Sequence, residues 1–308
     1  MKDTILFGDC RETLKNLTNS SARMCVTSPP YYGLRDYGGE KNQIGQEESP
    51  EEYVKQMVEV FRLVRDVLTD DGTLWLNIGD SYYNYRSDGN YPKQTVSKTR
   101  QDLPQNTPVR GNKLKGLKSK DLIGIPWMLA FALRADGWYL RQDIIWHKPN
   151  PMPESVKDRC TKAHEYIFLL SKSKNYFYDN EAIKEPAKDW GTRDRTNGKY
   201  HNPGSGLAPH SGLTKSYATK NKRSVWSVTV KPYKGAHFAT YPEDLVEPCI
   251  LAGSEKGDIV LDPFMGSGTT AMVAKKNSRS YLGCELREEY ASLQTARIST
   301  IPNKLPLY

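Results

Sequence analysis

The sequence predicts a doubly wound α/β fold with a mostly parallel sheet, and three observations support this prediction. Short apolar runs typical of strands alternate with helical segments outside two irregular regions. Two of the runs, ending at Thr27 and Asp262, lead directly into motifs rich in proline or glycine. A length of 308 residues suits one large domain with insertions. We therefore predict a single domain over residues 1–308.

The elements follow from local patterns. Strands are predicted over residues 4–7, 24–27, 73–78, 139–146, 166–170, 258–262 and 280–285. Helices are predicted over residues 11–17, 50–68, 122–134, 242–251 and 268–275, with a further helix closing the chain. The helix over 50–68 is the clearest, because Ser49 offers an N-cap, Pro50 suits the first turn and apolar residues follow one face. Residues 70–72, Asp-Asp-Gly, predict a turn before the next strand.

Two inserts, residues 84–120 and 184–235, interrupt the alternation and carry the basic excess. The chain has a formal net charge of +8. The first insert has nine Lys and Arg residues against two acids, and the second has eleven against three. A basic excess confined to two segments predicts a surface that binds a polyanion. A pair of solubilising loops is the alternative interpretation.

The cysteines and histidines indicate neither disulfides nor a metal site. Five cysteines lie far apart without a Cys-x-x-Cys pair, which favours a reducing compartment. His147 and His164 lack a second ligand at metal spacing, so we interpret them as structural or DNA-facing, and no metal is expected. No apolar run reaches the length of a membrane span, and the N-terminal apolar run is too short for a signal peptide. A cytoplasmic protein without a membrane partner is predicted.

A glycine-rich turn near the C-terminus has the form of a ligand-binding loop. Residues 258–262 form a predicted strand, and the turn that follows contains Phe264, Gly266, Ser267, Gly268 and Thr269. Glycines let the backbone approach a ligand, and the next helix offers free N–H groups. The loop fits a dinucleotide, S-adenosylmethionine or a plain structural turn. Asp262 favours S-adenosylmethionine, because its carboxylate suits a cationic amine and would repel a pyrophosphate, and Glu285 is placed for two ribose hydroxyls.

A second loop, Ser28-Pro29-Pro30-Tyr31, leaves the strand that ends at Thr27. Two prolines stiffen the chain and keep the preceding residues extended. The Ser28 hydroxyl and the Pro29 carbonyl then become fixed acceptors at the carboxyl end of the strand. Two acceptors that hold the hydrogens of an aromatic amine out of plane would localise its lone pair, and Tyr31 could stack on a flipped base. A rigid turn that only ends the strand is the alternative.

Together the two loops resemble those of DNA amino-methyltransferases, which act on cytosine N4 or adenine N6. Residues 28–31 match the form (Asp/Asn/Ser)-Pro-Pro-(Tyr/Phe), and residues 262–270 match Asp-Pro-Phe-x-Gly-x-Gly-Thr-Thr. The first motif precedes the second, as in the β group of the family. The resemblance covers nearly the whole chain apart from the two inserts.

The resemblance implies the seven-stranded, Rossmann-like fold of S-adenosylmethionine-dependent methyltransferases, with that cofactor and double-stranded DNA as partners. It implies that Asp9 contacts the cofactor adenine and that His237 lies in the segment that binds the methionine part. Thr27, next to Ser28, belongs to the same predicted cofactor set. Residues 84–120 are then expected to be a DNA-contact loop, and residues 184–235 the target-recognition region.

Ser28 favours cytosine N4, because adenine enzymes of this family mostly carry aspartate at that position. We expect a site-specific DNA methyltransferase in restriction–modification or phage DNA protection, with adenine N6 as the alternative. Cytosine C5 chemistry is disfavoured, since Tyr31 stands where a nucleophilic cysteine would be required. An NAD-dependent dehydrogenase and a non-catalytic DNA-binding protein are the remaining rivals. A homodimer and a cognate restriction endonuclease stay open as further partners.

Overall fold

The structure is a computed structural model that describes residues 1–33, 43–83, 116–187, 218–230 and 241–301. The strands of these residues are β1 (Thr4–Phe7), β2 (Ala22–Thr27), β3 (Leu68–Ile78), β4 (Tyr139–His147), β5 (His164–Ser171), β6 (Glu185–Pro186), β7 (Thr219–Lys220), β8 (Val225–Ser227), β9 (Ile259–Asp262) and β10 (Ser280–Glu285). The helices are α1 (Cys10–Thr13), α2 (Pro50–Val67), α3 (Ile125–Ala135), α4 (Glu243–Gly253), α5 (Thr269–Lys276) and α6 (Ala291–Ser299).

The main sheet has the order β1-β10-β9-β2-β3-β5-β4-β8 in the described part of the chain. The neighbours from β1 to β3 pair in parallel, and β5 runs antiparallel to β3 and β4. This mostly parallel sheet confirms the predicted fold class. It contains eight strands where seven were expected, because β8 adds in parallel to β4. The strand β8 lies inside the second basic insert, where we predicted no regular structure.

Helices cover both faces of the sheet. Helices α2 and α3 pack in one core, with Tyr53, Met57 and Phe61 buried there. Helices α4 and α5 pack in a second core on the other face. Alternate residues of a central strand serve the two cores: Cys25 belongs to the first and Met24 to the second. The central strands are buried on both faces, which explains why they read as continuous apolar runs.

Helix α2 confirms the clearest local prediction. The Ser49 hydroxyl accepts a hydrogen bond from the backbone N–H of Glu52 at 3.2 Å, and Pro50 occupies the first turn. The Ser49 hydroxyl satisfies one of the unpaired N–H groups at the helix start, and Pro50 has no N–H group that could be left unpaired. The helix ends at Val67, one residue before the predicted end.

The turn predicted at residues 70–72 is wrong, because these residues lie within β3. The pairing of β3 with β2 shifts between Leu68, opposite Ala22, and Thr73, opposite Met24. The polar residues therefore form an irregularity of the strand instead of a separate turn. Arg23 forms an ion pair with Asp71 there, which gives this irregular segment a charged partner on the neighbouring strand.

Helix α3 begins at Ile125, three residues later than predicted. Gly124 precedes it with a φ of 88°, a left-handed conformation that favours glycine. The carboxylate of Asp80, after β3, accepts hydrogen bonds from the N–H groups of Gly124 and Ile125 at 3.1 and 3.2 Å. The backbone at Gly124 and the distant Asp80 thus set the start of this helix.

Most of the two basic inserts lies outside the described residues, so their assignment as DNA-contact and target-recognition segments stays a prediction. At the ends of the second insert, β6 and β7 pair in antiparallel orientation. In the part of the chain that the structure describes, every helix is too short or too polar to span a membrane.

Candidate active site

The predicted cofactor and catalytic residues meet at one edge of the sheet. Strands β1, β10, β9 and β2 are parallel neighbours, so their carboxyl ends lie side by side. Asp9, Glu285, Asp262 and Ser28 stand at or just beyond those four ends. The carboxyl ends of parallel strands are the usual place for ligands in open α/β sheets. The fold therefore brings both predicted motifs to one site.

A direct hydrogen bond joins the strands that lead into the two motifs. The Thr27 hydroxyl, at the end of β2, donates to Asp262 Oδ1 at the end of β9 at 2.6 Å. Both side chains are 0% exposed. The Ser-Pro-Pro-Tyr loop and the glycine-rich loop are thus fixed relative to each other at their bases. Thr27 is buried, and its hydroxyl is used in this hydrogen bond. The predicted contact of Thr27 with the cofactor therefore remains a prediction.

Asp262 receives hydrogen bonds from several chain segments. Tyr241 and Thr270 donate their hydroxyls to Oδ2 at 3.1 and 2.5 Å, and the Phe264 N–H donates to Oδ1 at 3.0 Å. Burial raises the pKa of Asp262, while these hydrogen bonds act in the opposite direction. The predicted meeting of Asp262 with a cationic amine is not tested, and its oxygens already accept protein donors.

The glycine-rich loop has the backbone that a close-lying ligand requires. Gly266 has a φ of 53° and Gly268 a φ of 82°, conformations that L side chains rarely adopt. The loop passes into α5 at Thr269. Ser267 and Thr269 are buried, and Arg297 donates hydrogen bonds to the Ser267 carbonyl at 3.2 Å and the Thr269 hydroxyl at 3.0 Å. Arg297 also donates to the Ser267 hydroxyl, so the hydroxyls of both residues face the protein.

Glu285 and Asp9 provide carboxylates beside this loop. Glu285 accepts the Gly266 N–H at 2.7 Å on Oε2 and the Arg287 N–H at 3.0 Å on Oε1, and burial raises its pKa. Each oxygen keeps a further lone pair. Asp9 caps α1 through the Arg11 N–H. Burial opposes ionisation of Asp9, but the Arg11 hydrogen bonds and charge lower its pKa overall. Acceptors next to a glycine loop suit the ribose hydroxyls and adenine amine of S-adenosylmethionine.

The Ser-Pro-Pro-Tyr loop is attached to helix α2. The Tyr53 hydroxyl donates to the Pro30 carbonyl at 2.9 Å and ties the loop to α2. None of the described residues donates a hydrogen bond to the Pro29 carbonyl. The Pro29 carbonyl and the Ser28 hydroxyl remain the candidate acceptors for an amine, and both assignments stay predictions.

Tyr31 lies at the centre of a polar cluster that the sequence did not indicate. Its hydroxyl donates to Glu165 Oε2 at 2.7 Å, lies 3.3 Å from Asn77 Oδ1 and accepts from Ser28 at 3.4 Å. Its ring packs on Gly79, where an added Cβ would lie 2.7 Å from Tyr31 Cε2. The stacking of Tyr31 on a base is not tested, but its hydroxyl group has an additional function as a link to Glu165.

Sequence reasoning missed four polar residues of the site, namely Asn77, Lys148, Glu165 and Tyr241. Lys148 and Glu165 are the sequence neighbours of the two histidines weighed as metal ligands, and their charges at a predicted strand end were the available signal. His147 instead lies 3.0 Å from the Ser227 hydroxyl. Among the described residues, no group of three or more His, Cys, Asp or Glu could bind a metal ion. His237 lies outside the described residues.

Comparison with known proteins identifies a family and close relatives. The DNA methylase model N6_N4_Mtase matches residues 22–296. Type II methyltransferase M.XycI of Xanthomonas campestris pv. cyanopsidis is 47% identical over 295 residues, covering 96% of this chain and 87% of the relative. Type II methyltransferase M.SmaI of Serratia marcescens is 48% identical over 298 residues, covering 96% and 90%. The similarity thus extends over nearly the full length of each relative.

Solved structures agree with the fold. The cytosine-N4-specific PvuII DNA methyltransferase superposes with a TM-score of 0.64 at 19% identity, covering 99% of this chain and 88% of that one. The M1.HpyAVI–SAM complex superposes with a TM-score of 0.54 at 18% identity, covering 96% and 98%. At these identities the likeness establishes the architecture.

Proposed function

The chain belongs to the DNA methylase family, and we propose that it methylates the N4 amine of cytosine at a specific DNA site. It is an S-adenosylmethionine-dependent DNA methyltransferase. The observation that carries the proposed site is the 2.6 Å bond from Thr27 to Asp262. It joins the bases of the two loops that such a reaction must bring together, one for the amine and one for the cofactor.

The residues of the glycine-rich loop and its neighbours fit the cofactor. The backbone at Gly266 and Gly268 has no side chain that would keep the cofactor at a distance. Glu285 accepts from its ribose hydroxyls, and Asp9 accepts from its adenine. Phe264 and His237 complete the proposed set. S-adenosylmethionine supplies an electrophilic methyl group when bound. The protein contributes by orienting that methyl group toward the catalytic loop.

The catalytic loop acts on the amine. An exocyclic amine of a base is a weak nucleophile, because its lone pair is delocalised into the ring. The Ser28 hydroxyl oxygen and the Pro29 carbonyl accept its two hydrogens and direct the lone pair toward the methyl group. The base must leave the duplex to reach these acceptors, and the ring of Tyr31 offers a surface that offsets part of the unstacking cost, on the order of a few kcal/mol.

Cytosine N4 is proposed over adenine N6 on two grounds. Ser28 occupies the position where the resembling adenine enzymes mostly carry aspartate. In addition, the structurally similar PvuII enzyme is described as cytosine-N4-specific. The order of the two motifs supports an assignment to the β group of the family.

We assign the enzyme to a restriction–modification system, as the modification partner of a cognate endonuclease in a bacterial cytoplasm. The type II methyltransferases that resemble it over 96% of the chain support this assignment. Residues 184–235 are proposed to read the DNA site and residues 84–120 to contact the backbone, since both carry the basic excess. Deleting the second insert should therefore abolish site selectivity and flatten the salt dependence of DNA binding.

The test is identification of the modified nucleoside. The purified protein is incubated with S-adenosylmethionine and genomic DNA from a bacterial strain without DNA methylation, and the DNA is digested to nucleosides for mass spectrometry. N4-methyldeoxycytidine is the expected product. N6-methyldeoxyadenosine would overturn the choice of base, and no methylated nucleoside would overturn the proposed function.

A double variant separates this enzyme from a DNA-binding protein that kept the fold. Ser28→Ala with Tyr31→Ala removes an acceptor and the proposed stacking ring. We expect methylation to fall below detection while DNA binding, measured by fluorescence anisotropy, is largely kept. Undiminished methylation by this variant would refute the assigned catalytic residues.

A further inference from the structure

Glu165 stands beside the catalytic loop with three partners from other segments. Lys148 donates to Oε1, and the Tyr31 hydroxyl donates to Oε2 at 2.7 Å. The Asn77 amide also reaches Oε2 at 3.3 Å. The side chain of Glu165 is 16% exposed. A partly buried carboxylate that is linked to Tyr31 is placed to influence the proposed reaction at Ser28.

The carboxylate determines the direction of the hydrogen bonds around it. An ionised carboxylate has no hydrogen to donate, so the hydroxyl of Tyr31 must be the donor to Glu165. Lys148 forms an ion pair with Glu165. The Lys148 ammonium nitrogen also lies 4.3 Å from the centroid of the Trp146 ring, and both contacts hold the side chain in place. The positive charge of Lys148 balances the negative charge that Glu165 directs at Tyr31.

The orientation of Asn77 independently supports the assignment of the Tyr31 hydroxyl as a donor. Its amide nitrogen donates to the Tyr166 carbonyl at 3.1 Å, which orients its Oδ1 toward the Tyr31 hydroxyl at 3.3 Å. Both groups that receive the Tyr31 hydrogen are therefore acceptors. The phenol oxygen can therefore only accept a further hydrogen bond, and the Ser28 hydroxyl donates to it at 3.4 Å. Catalytic hydrogen bonds of this length commonly shorten when substrate binds.

We propose that Glu165 is a positioning residue that makes Ser28 an acceptor for the substrate amine and finally receives the proton that the amine loses. With its own hydrogen directed to Tyr31, Ser28 has only lone pairs left for the substrate. This inference rests on the proposed amine methylation. It assigns a role to Glu165, which lies outside both sequence motifs.

The proton balance of the reaction requires such an acceptor. The amine nitrogen gains a bond to the methyl carbon, the carbon–sulfur bond breaks with its electron pair going to sulfur, and one N–H bond breaks. That proton passes to Ser28 Oγ, the Ser28 proton passes to the Tyr31 oxygen, and the Tyr31 proton passes to Glu165 Oε2. The carboxylic acid then releases its proton to water. Each hydroxyl gains one proton and loses one.

The surroundings of Tyr31 agree with this function. Burial, followed by the charge of Glu165, raises the pKa of Tyr31 well above its ordinary value. The phenol therefore keeps its proton at neutral pH and serves as a donor rather than as a base. Gly79 leaves the space that the Tyr31 ring needs to reach Glu165.

The experiment compares Glu165→Gln, Tyr31→Phe and the double variant in single-turnover methyl transfer to unmethylated genomic DNA. We expect each single variant to lose about 100-fold in rate, the usual range for a positioned proton acceptor. The double variant should be no slower than the slower single variant, because both substitutions interrupt one chain. Dissociation constants for S-adenosylmethionine and DNA should change by less than about threefold. Neither the Glu165 carboxylate nor the Tyr31 hydroxyl is proposed to bind them, and Tyr31→Phe keeps the ring that is proposed to stack on the base.

Asp258→Asn is the matched control. Asp258 pairs with Arg23 at the opposite edge of the same sheet, and these side chains are 22% and 23% exposed, similar to the 16% and 20% of Glu165 and Lys148. This variant removes the charge of a comparable ion pair away from the strand carboxyl ends. Its transfer rate should stay within about twofold of the wild type, as expected for a group distant from the chemistry.

Three outcomes would overturn the inference: wild-type rates in Tyr31→Phe, multiplicative rate losses in the double variant, or affinity losses that account for the rate losses. If Glu165→Gln does not fold, Tyr31→Phe decides alone, since it keeps the Lys148–Glu165 pair. A wild type that transfers no methyl group to any DNA would instead refute the proposed function, so the two failures are distinguishable.

Discussion

Asp262 and Glu165 are two carboxylates at the same edge of one sheet, yet their surroundings differ. Asp262 is 0% exposed, and its donors among the described residues are three neutral hydroxyls and one backbone N–H. The side chain of Glu165 is 16% exposed and is paired with Lys148. Burial without a cation raises the pKa of Asp262, whereas Glu165 has a cation to balance its charge.

This difference distinguishes Asp262, which holds parts of the fold together, from Glu165, which is proposed to take part in the reaction. Asp262 connects the end of β2, Tyr241, its own loop and α5. Removing it would leave several buried hydroxyls without their acceptor. Glu165 connects fewer groups and faces Tyr31. We therefore expect substitution of Asp262 to affect stability most, and substitution of Glu165 to affect rate most.

The largest expected effect is the loss of stability in Asp262→Ala. Thr27 and Thr270 are fully buried and would lose the carboxylate they donate to. Leaving buried donors unsatisfied predicts a loss of about 3 kcal/mol or more in the free energy of unfolding. Urea denaturation followed by circular dichroism measures it.

Glu165→Gln is the counterpart in the same assay. Because a carboxamide can still accept from Lys148, we expect a loss of only about 1 kcal/mol. Equal losses in the free energy of unfolding for Asp262→Ala and Glu165→Gln would contradict this distinction between a structural residue and a residue of the reaction.

The next effect concerns the contact between Gly79 and Tyr31. In Gly79→Ala the new Cβ would lie 2.7 Å from Tyr31 Cε2, so the ring must move and its hydroxyl must leave Glu165. A displacement of this kind predicts a loss of about tenfold in the methyl-transfer rate. Single-turnover transfer of tritium from labelled S-adenosylmethionine to DNA measures it.

Gly257→Ala provides the control for a glycine substitution. Gly257 has a φ of 88°, and no atom lies within 4 Å of an added Cβ, so this variant should lose about 1 kcal/mol of stability through backbone strain. Its transfer rate should match the wild type. A slow Gly257→Ala enzyme would mean that general destabilisation, rather than the position of Tyr31, controls the rate.

The smallest effect is the pH dependence of stability at Asp262. A carboxyl group whose pKa is raised by folding adds stability below its unfolded value of 3.8, and this contribution is lost as pH rises through the folded pKa. The stability of the wild type relative to Asp262→Asn should therefore decrease as the pH rises above about 4. Besides burial, the charge of Asp262 raises the pKa of Glu285, so part of this decrease reflects the repulsion between the two carboxylates.

Urea denaturation of the two proteins at several pH values measures this trend. A relative stability of the wild type that increases with pH would contradict it. Such a result would show that the four hydrogen bonds to Asp262 outweigh its burial and lower its pKa.

Local signals predicted much of the fold. Ser49 and Pro50 marked the start of α2, and the run at residues 4–7 coincides with β1. The turn at residues 70–72 was wrong because pairing with β2 accommodates these polar residues inside β3. The late start of α3 depends on Asp80, which lies 44 residues before Gly124. Errors thus arose where a distant partner overrode local preference.

The candidate site divides in the same way. Both loops were visible in the sequence because each consists of consecutive residues with a recognisable chemistry, and the assignments of their residues stay predictions. Glu165 was missed because it belongs to no motif. Tyr241 lies in the same segment as His237, but only His237 was assigned a role there. Tyr31 and Glu165 are 134 residues apart, and their side chains come into contact only because β3 pairs with β2 on one side and with β5 on the other.

By itself the sequence determined the alternation of strands and helices, the order of the two loops and the confinement of positive charge to two inserts. These properties depend on neighbouring residues, whose periodicity and backbone preferences act over a few positions. Only the tertiary structure decided that β9 lies beside β2, that Asp262 is enclosed by neutral donors and that Glu165 faces Tyr31. Strand order and burial arise from contacts between distant segments, because crossover connections let strands far apart in the chain become neighbours.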